Sequence, residues 1–192
     1  MAGRRRTSVD AAYLERAALY YLERYASSAE NLRRVLRRKI RVRSRDNPDG
    51  PPKQAEEWIE AVVEKLIRLK LLDDRSYAAG KVRSLYALGK PLGRIRQTLA
   101  AKGIRGEAAD AALENLRQES KAVVSDLPAA LAYARRRRIG PWRHDPETRA
   151  AMRQKDLGAL ARRGFSQDLA VRILKADTIA DAEAMMDELT ND

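Results

Sequence analysis

The sequence predicts an all-α fold in which one small helical unit is used three times. Aliphatic residues recur at three-to-four spacing, and no run alternates apolar with polar, so no segment reads as a strand. Hydrophobic residues make up 44% of the 192 positions and aromatic ones only 5%, enough to bury a core built of aliphatic stripes. The third observation is a recurring phrase: SSAENLRRVLRRKI at 27–40, KPLGRIRQTLAAKGI at 90–104 and KDLGALARRGF at 155–165. Each carries an apolar pair, then basic residues, then an apolar closing residue. The pairs are Leu32 with Leu36, Ile95 with Leu99 and Leu157 with Leu160, and Ile40, Ile104 and Phe165 close them. Recurrence at this scale marks a repeat architecture. Burying a Leu or Ile contributes roughly 1.5–3 kcal/mol, and backbone ordering offsets most of that in a small unit. Such units lean on each other, so an elongated molecule is expected.

Caps and breakers set the element boundaries. Residues 1–9, with Arg4, Arg5 and Arg6, read as a basic disordered tail. A first helix starts near Asp10, whose carboxylate can accept from orphan amides. Its inward stripe is Tyr13, Leu14, Ala17, Ala18, Tyr21 and Tyr25. Tyr20 and Tyr21 are adjacent, so one of the two belongs at a surface or a junction. Ser27-Ser28-Ala29-Glu30 reads as a capping box headed by Ser27, opening a second helix to about Arg41. Residues 42–55, VRSRDNPDGPPKQA, are too dense in turn formers for helix or strand and form an exposed loop. Helicity resumes around Glu56 with Trp58, Val62, Leu66 and Leu69 on one face. Asp73 or Asp74 then caps a helix running through Ser76, Tyr77 and Val82 to Leu88.

Gly89 ends that helix and Pro91 suits the first turn of the next, which runs to Lys102 and stops at Gly103. A further helix from about Glu107 turns Ala109, Ala112, Leu113 and Leu116 inward. The pattern restarts at Ser125-Asp126, with a helix through Leu131 to Arg138 and a break at Gly140-Pro141. A new cap at Asp145-Pro146 opens a helix to Arg163. Gly164 and Phe165 repeat the Gly103-Ile104 stop, and Ser166 caps a helix carrying Leu169, Ile173 and Leu174. The spacing from Phe165 to those residues equals that from Ile104 to Ala108, Ala112 and Leu113. The expected organisation is a tail at 1–9, repeat one at 10–73 with loop 42–55, repeat two at 74–120, repeat three at 125–176, and an acidic segment at 177–192 forming one more short helix that frays at its end.

Catalytic chemistry is hard to place. His144 is the single histidine, and its neighbour Asp145 does not share its face; a solvent-exposed loop histidine is the expectation, and a hydrolase built on it a remote third. No HExxH, Walker loop or strand-borne GxGxxG occurs. The carboxylate pairs Glu56-Glu57 and Asp73-Asp74 stand at helix starts, where capping and the macrodipole account for them. No catalytic residue, metal ligand or cofactor is expected. With no cysteine, no apolar segment for a secretory signal in MAGRRRTSVD and no bilayer-length stretch, a cytoplasmic location without membrane contact is expected.

The net charge of +12 points instead to an anionic partner. Residues 33–45 hold eight basic residues and no acid, among them Arg33, Arg34, Arg37 and Arg38, whose four-residue spacings put like charges on shared faces. Arg94, Arg96 and Lys102 recur at the matching place in the second unit and Arg162 and Arg163 in the third. Arg135 and Arg136 begin the densest run, 135–138. A charge run is commonly just a solvated face, but recurrence on repeated units favours binding. Charge alone leaves phosphate and acidic protein surface both open. Trp58 lies in an apolar stripe and belongs to a core; Trp142, beside Arg143 in a loop, is the more open of the two tryptophans.

The run LLDDRSYA at 71–78 followed by GKPLGRIRQTLAAKGI at 89–104 closely resembles the central signature of the bacterial RecX regulatory proteins, and RRGFS at 162–166 resembles that family's third-unit ending. The similarity covers about residues 10–175 and is strongest at 65–116. It implies three tandem three-helix units in a curved, extended shape and no catalytic site. It also implies a role in homologous recombination and the SOS response: binding the RecA–DNA filament and modulating, usually inhibiting, RecA ATPase, strand exchange and co-protease activity. Loop 42–55 and the break at 140–145 depart from the family pattern. No short binding motif carries over from the family, so Arg33, Arg34, Arg37, Arg38, Arg94, Arg96, Lys102, Arg135, Arg136, Arg162 and Arg163 are candidates on charge alone. A monomer is expected, with RecA as partner and DNA contacted weakly and nonspecifically. The alternative is a helical DNA-binding protein acting directly on DNA, for which only Gln97 and Gln167 sit where a base reader would need them.

Overall fold

A computed structural model describes residues 9–45, 50–120 and 123–191. The tail expected at 1–9 lies outside the described residues except for Val9, as do positions 46–49 of the loop. The described residues form ten α-helices and one short 3-10 turn, with no strand. They divide into two compact units, one reaching to Ala78 and including Lys102–Ile104, the other comprising Ala79–Ala101 and the chain from Arg105 on.

In the first unit, α1 (Ala11–Leu22) opens on Asp10, whose carboxylate accepts from the Tyr13 amide at 2.7 Å. Leu14, Ala17 and Ala18 are buried as the stripe requires, but α1 stops at Leu22 and Tyr25, expected inward, is 57% exposed. Tyr20 faces outward beneath the Arg24 guanidinium, while the Tyr21 hydroxyl accepts from Asn31. The cap of α2 (Ala29–Arg43) is Ser28, one residue later than expected: its hydroxyl accepts from the Asn31 amide at 3.2 Å. Ser27 instead accepts from the Asn31 side chain, and Glu30 pairs with arginines in place of reaching back to the cap. The α2 amide of Ala29 donates to Asp74 Oδ1 at 2.7 Å, while Asp73 accepts from Arg75 and Ser76 at the start of its own helix. The adjacent aspartates therefore divide two helix starts between them. Leu32, Leu36 and Ile40 pack with Ile59, Val62, Val63 and Leu66 of α3 (Ala55–Arg68) in one buried core, with Trp58 half-buried against it. Leu69, expected on this face, lies past the helix end and is exposed.

Chain reversal after α3 uses Lys70 at φ +57°, with the Lys70 amide donating to Ile67 and the Leu71 amide to Leu66. This Schellman arrangement recurs after α4 (Asp74–Ala87) at Gly89, after α7 (Leu127–Arg137) at Arg138 and after α8 (Pro146–Arg163) at Gly164. A left-handed residue with a side chain carries a strain that glycine avoids. Lys70→Gly is therefore expected to raise stability by about 0.5–1 kcal/mol, read as a higher urea midpoint at unchanged m-value.

In the second unit, α5 (Leu92–Ala101) and α6 (Glu107–Glu119) bury Ile95, Leu99, Ala109, Ala112, Leu113 and Leu116. The Leu92 amide donates to Asp126 Oδ1 at 2.7 Å, and the half-buried Asp126 carboxyl is pushed up by desolvation. The Tyr86 hydroxyl both donates to the Ser125 carbonyl and accepts from the Ser125 amide. Helices α7, α8, α9 (Gln167–Lys175) and α10 (Ile179–Asn191) enclose a core with Leu131, Leu160, Phe165 and Ile173. Asp145 and Ser166 cap α8 and α9 as expected. The buried positions lie five, eight and nine residues after the closing apolar residue in both copies: Ala109, Ala112 and Leu113, then Ala170, Ile173 and Leu174. Ala108 and Leu169, the matched pair at the fourth place, are exposed and half-buried, so the repeat in register runs through the fifth place instead. Trp142 corrects a further expectation. It sits in the 3-10 turn Gly140–Trp142, 7% exposed, as part of the core.

Candidate functional site

The basic residues separate into those already committed within the fold and those open to a partner. Arg33 makes a two-pronged pair with Glu60 of α3, Nε and Nη2 both at 2.9 Å from its carboxylate. That hydrogen bonding, ahead of desolvation, raises the Arg33 pKa and lowers that of Glu60. Arg37 pairs with Glu56 at 2.9 Å and Arg34 with Glu30 at 3.1 Å. The α2 run, free of acids in sequence, is thus matched in space by acids from its own first turn and from α3. Arg38 is exposed, and no ion pair joins it to a described residue. In the second unit Arg96 pairs with Asp110, and Arg94 donates to Gln97 at 2.8 Å. Lys102, expected outward, is half-buried: Nζ donates to Asn31 at 2.9 Å and its carbonyl accepts from Ser28.

A recess lined by α7 and α8 does the opposite and gathers charge without acids. Arg136 and Arg137 of α7 and Arg162 and Arg163 of α8 line an open recess of ≈ 400 Å³ with Tyr133 and Ala159. No carboxylate lines it. The Arg136 and Arg163 guanidiniums lie 5.8 and 5.6 Å from the centroid of the Tyr133 ring, whose π face attracts cations. Tyr133 in turn contacts Phe165 at 6.1 Å between centroids, which ties the ring to the core. One aromatic side chain thus holds two like charges close together. Of the candidates named from charge, the structure brings Arg136, Arg162 and Arg163 together here; Arg135 lies on the other flank of α7. Tyr133 is a residue that charge reasoning missed. Its signal was the Tyr133–Arg136 spacing, one helical turn apart.

A second set of arginines in this unit is structural. Arg143 pairs with the buried Asp156 at 3.0 Å, Arg149 donates to the carbonyls of Asp177 and Arg143, and Arg153 donates to Leu174. Arg149 and Arg153 hold the end of α9 and the following turn to α8, and Arg143 ties the end of the 3-10 turn to it. His144 is exposed, and among the described residues no cluster of three or more His, Cys, Asp or Glu is placed to hold a metal. No described helix is long and apolar enough to cross a membrane.

Comparison with known proteins gives a consistent answer. Residues 73–113 match the family model described as RecX, second three-helix domain. The regulatory protein RecX of Myxococcus xanthus is 40% identical over 174 residues, 91% of this chain and 90% of that protein. Its counterpart in Agrobacterium fabrum is 32% identical over 95% of this chain and 92% of its own length. Among solved structures, a regulatory protein RecX superposes with a TM-score of 0.62 at 28% identity, covering 86% of this chain and 72% of that one. RecX from Lactobacillus salivarius has the same fold, with a TM-score of 0.61 at 22% identity over 86% of this chain and 94% of that one. An all-helical chain that carries this signature, and is this similar over nine-tenths of its length to a curated relative, belongs to the RecX family of regulatory proteins.

Proposed function

We propose that the chain is a non-enzymatic regulator of homologous recombination and the SOS response, binding the RecA–DNA filament and inhibiting RecA ATPase, strand exchange and co-protease activity. The observation that carries this reading is the acid-free arginine recess between α7 and α8 on a chain of the RecX family. Positive charge held in place and left without counter-charge attracts an anionic surface and speeds encounter with it. In this reading residues 10–73, 74–120 and 125–176 act as three units that engage successive protomers. Each contact adds effective concentration for the next without any single one being strong. The protein acts as a monomer in the cytoplasm, with DNA phosphate as a secondary contact. Arg137 and Arg162, both exposed and in the recess, carry much of the attraction.

The test is RecA's DNA-dependent ATP hydrolysis titrated with this protein. Wild type is expected to lower the rate, and Arg137→Gln with Arg162→Gln to require about tenfold more protein for the same effect. An unchanged rate at saturating wild-type protein overturns the reading. Tight, sequence-dependent binding to DNA alone at physiological salt would replace it with direct DNA recognition, whereas binding that collapses with salt is phosphate contact only.

A further inference from the structure

A different surface of the second unit has the features of a peptide-docking groove. Between α7, the 3-10 turn and α10 lies an open, mostly apolar groove of ≈ 510 Å³ whose floor includes Leu131, Trp142 and Met186. Its two rims carry opposite charge. Arg135 and Arg136 stand on the α7 side, and Glu183 stands on the α10 side. No ion pair joins Arg135 or Glu183 to any described residue, so neither rim is neutralised by the other. Arg136 lines this groove while its guanidinium also lies 5.8 Å from the Tyr133 ring centroid, so it borders both recesses. Trp142 is otherwise held in the core and presents only a small part of its surface here. An apolar floor edged by an aromatic side chain, beside arginines with no carboxylate partner, is a composition enriched where binding energy concentrates at protein interfaces.

We propose that this groove docks an acidic peptide segment bearing a large apolar anchor residue, with the anchor on Trp142 and Met186 and its neighbouring carboxylates toward Arg135 and Arg136. Charge complementarity selects this occupant. The α7 rim carries two cations, and the chain as a whole carries +12, so an acidic segment is drawn to it. The apolar floor discriminates against a purely charged polymer, which would leave Trp142 and Met186 uncovered. Glu183 opposes the arginines and fixes direction: it repels acids from the α10 side, so a bound segment places its carboxylates on one edge only. The inference does not rest on the RecA reading: the groove shares only Arg136 with the arginine recess and is tested without RecA.

The probe is a fluorescein-labelled decapeptide in which Leu and Phe alternate with Asp and Glu, followed by anisotropy. Three comparison probes are the same peptide with Lys at each acidic place, a polyglutamate of equal length, and an oligothymidylate. Saturable binding of the acidic-apolar peptide alone is expected, with Arg135→Gln plus Arg136→Gln weakening it about tenfold. Glu183→Lys is expected to tighten it several-fold, a gain that misfolding cannot imitate. In a Trp58→Phe background the remaining Trp142 emission is expected to change on binding. Equal binding of polyglutamate or oligothymidylate would show a general polyanion surface and overturn the proposal. So would a peptide affinity indifferent to both the arginine and the Glu183 changes, or no binding of the peptide at millimolar concentration.

Discussion

Gly103→Ala is expected to destabilise the protein by about 2–4 kcal/mol, the sum of a left-handed backbone and an overpacked contact. Gly103 has φ +85°, and a Cβ there would lie 2.4 Å from Glu30 Cβ and 2.7 Å from Glu30 Cγ. Glu30 cannot swing clear, because the nearest obstruction is its own Cβ, fixed by the first turn of α2. Gly89→Ala is the matched comparison. Its φ is +64° but nothing lies within 4 Å of the added carbon, so its cost is about 1 kcal/mol from backbone strain alone. Gly103→Asn separates the two contributions, since asparagine tolerates the left-handed region yet brings the same Cβ against Glu30. Thermal unfolding should place Gly103→Ala ~5–15 °C below wild type, with Gly103→Asn close to it and Gly89→Asn near wild type. Equal losses at positions 89 and 103 would show that the approach of Glu30 is not what requires glycine.

Asp156→Asn has the second large effect. Asp156 is 5% exposed and accepts from Arg143 Nη2 at 3.0 and 3.1 Å. The Arg143 Nε is itself buried with no partner, so Asp156 is the main compensation for bringing that guanidinium out of water. Removing the carboxylate charge leaves a largely buried cation uncompensated, at a cost of about 3 kcal/mol. Replacing both residues, Arg143→Met with Asp156→Leu, removes the desolvation cost along with the attraction and should recover most of the loss. Urea unfolding of the two singles and the double gives the coupling. Additive losses would mean that the pair is held only by its surroundings and that the charges do not support each other.

Local chemistry was legible in the sequence, and contacts across long separations were not. Asp10, Asp145 and Ser166 cap helices that begin one residue later, and a carboxylate or hydroxyl accepting from the N3 amide is a relation confined to four residues. The stripe of α6 read correctly for the same reason, since one helix determines it. Failures came where two elements meet. The α2 arginines look unneutralised along the chain because Glu56 and Glu60 belong to α3, 19 and 27 residues from Arg37 and Arg33. Trp142 looks open because it follows a Gly-Pro break, yet α9 and α10 close over that turn. Ser28 takes the cap from Ser27 because its hydroxyl also reaches the Lys102 carbonyl, 74 residues on. The arginine recess was half legible. Arg162, Arg163 and the α7 run stood out by charge, while the ring that organises them did not.

The aspartates at the starts of α4 and α7 have a consequence for synthesis. Ala29 receives its acceptor from Asp74, 45 residues downstream, and Leu92 from Asp126, 34 residues downstream. A chain leaving the ribosome at roughly 5–20 residues per second therefore presents α2, and later α5, with its first amide unanswered for some seconds. Each of these helices is completed only when the opening residues of a later one arrive. A nascent chain halted before Asp74 or before Asp126 would leave the first amide of the last of these helices to water alone.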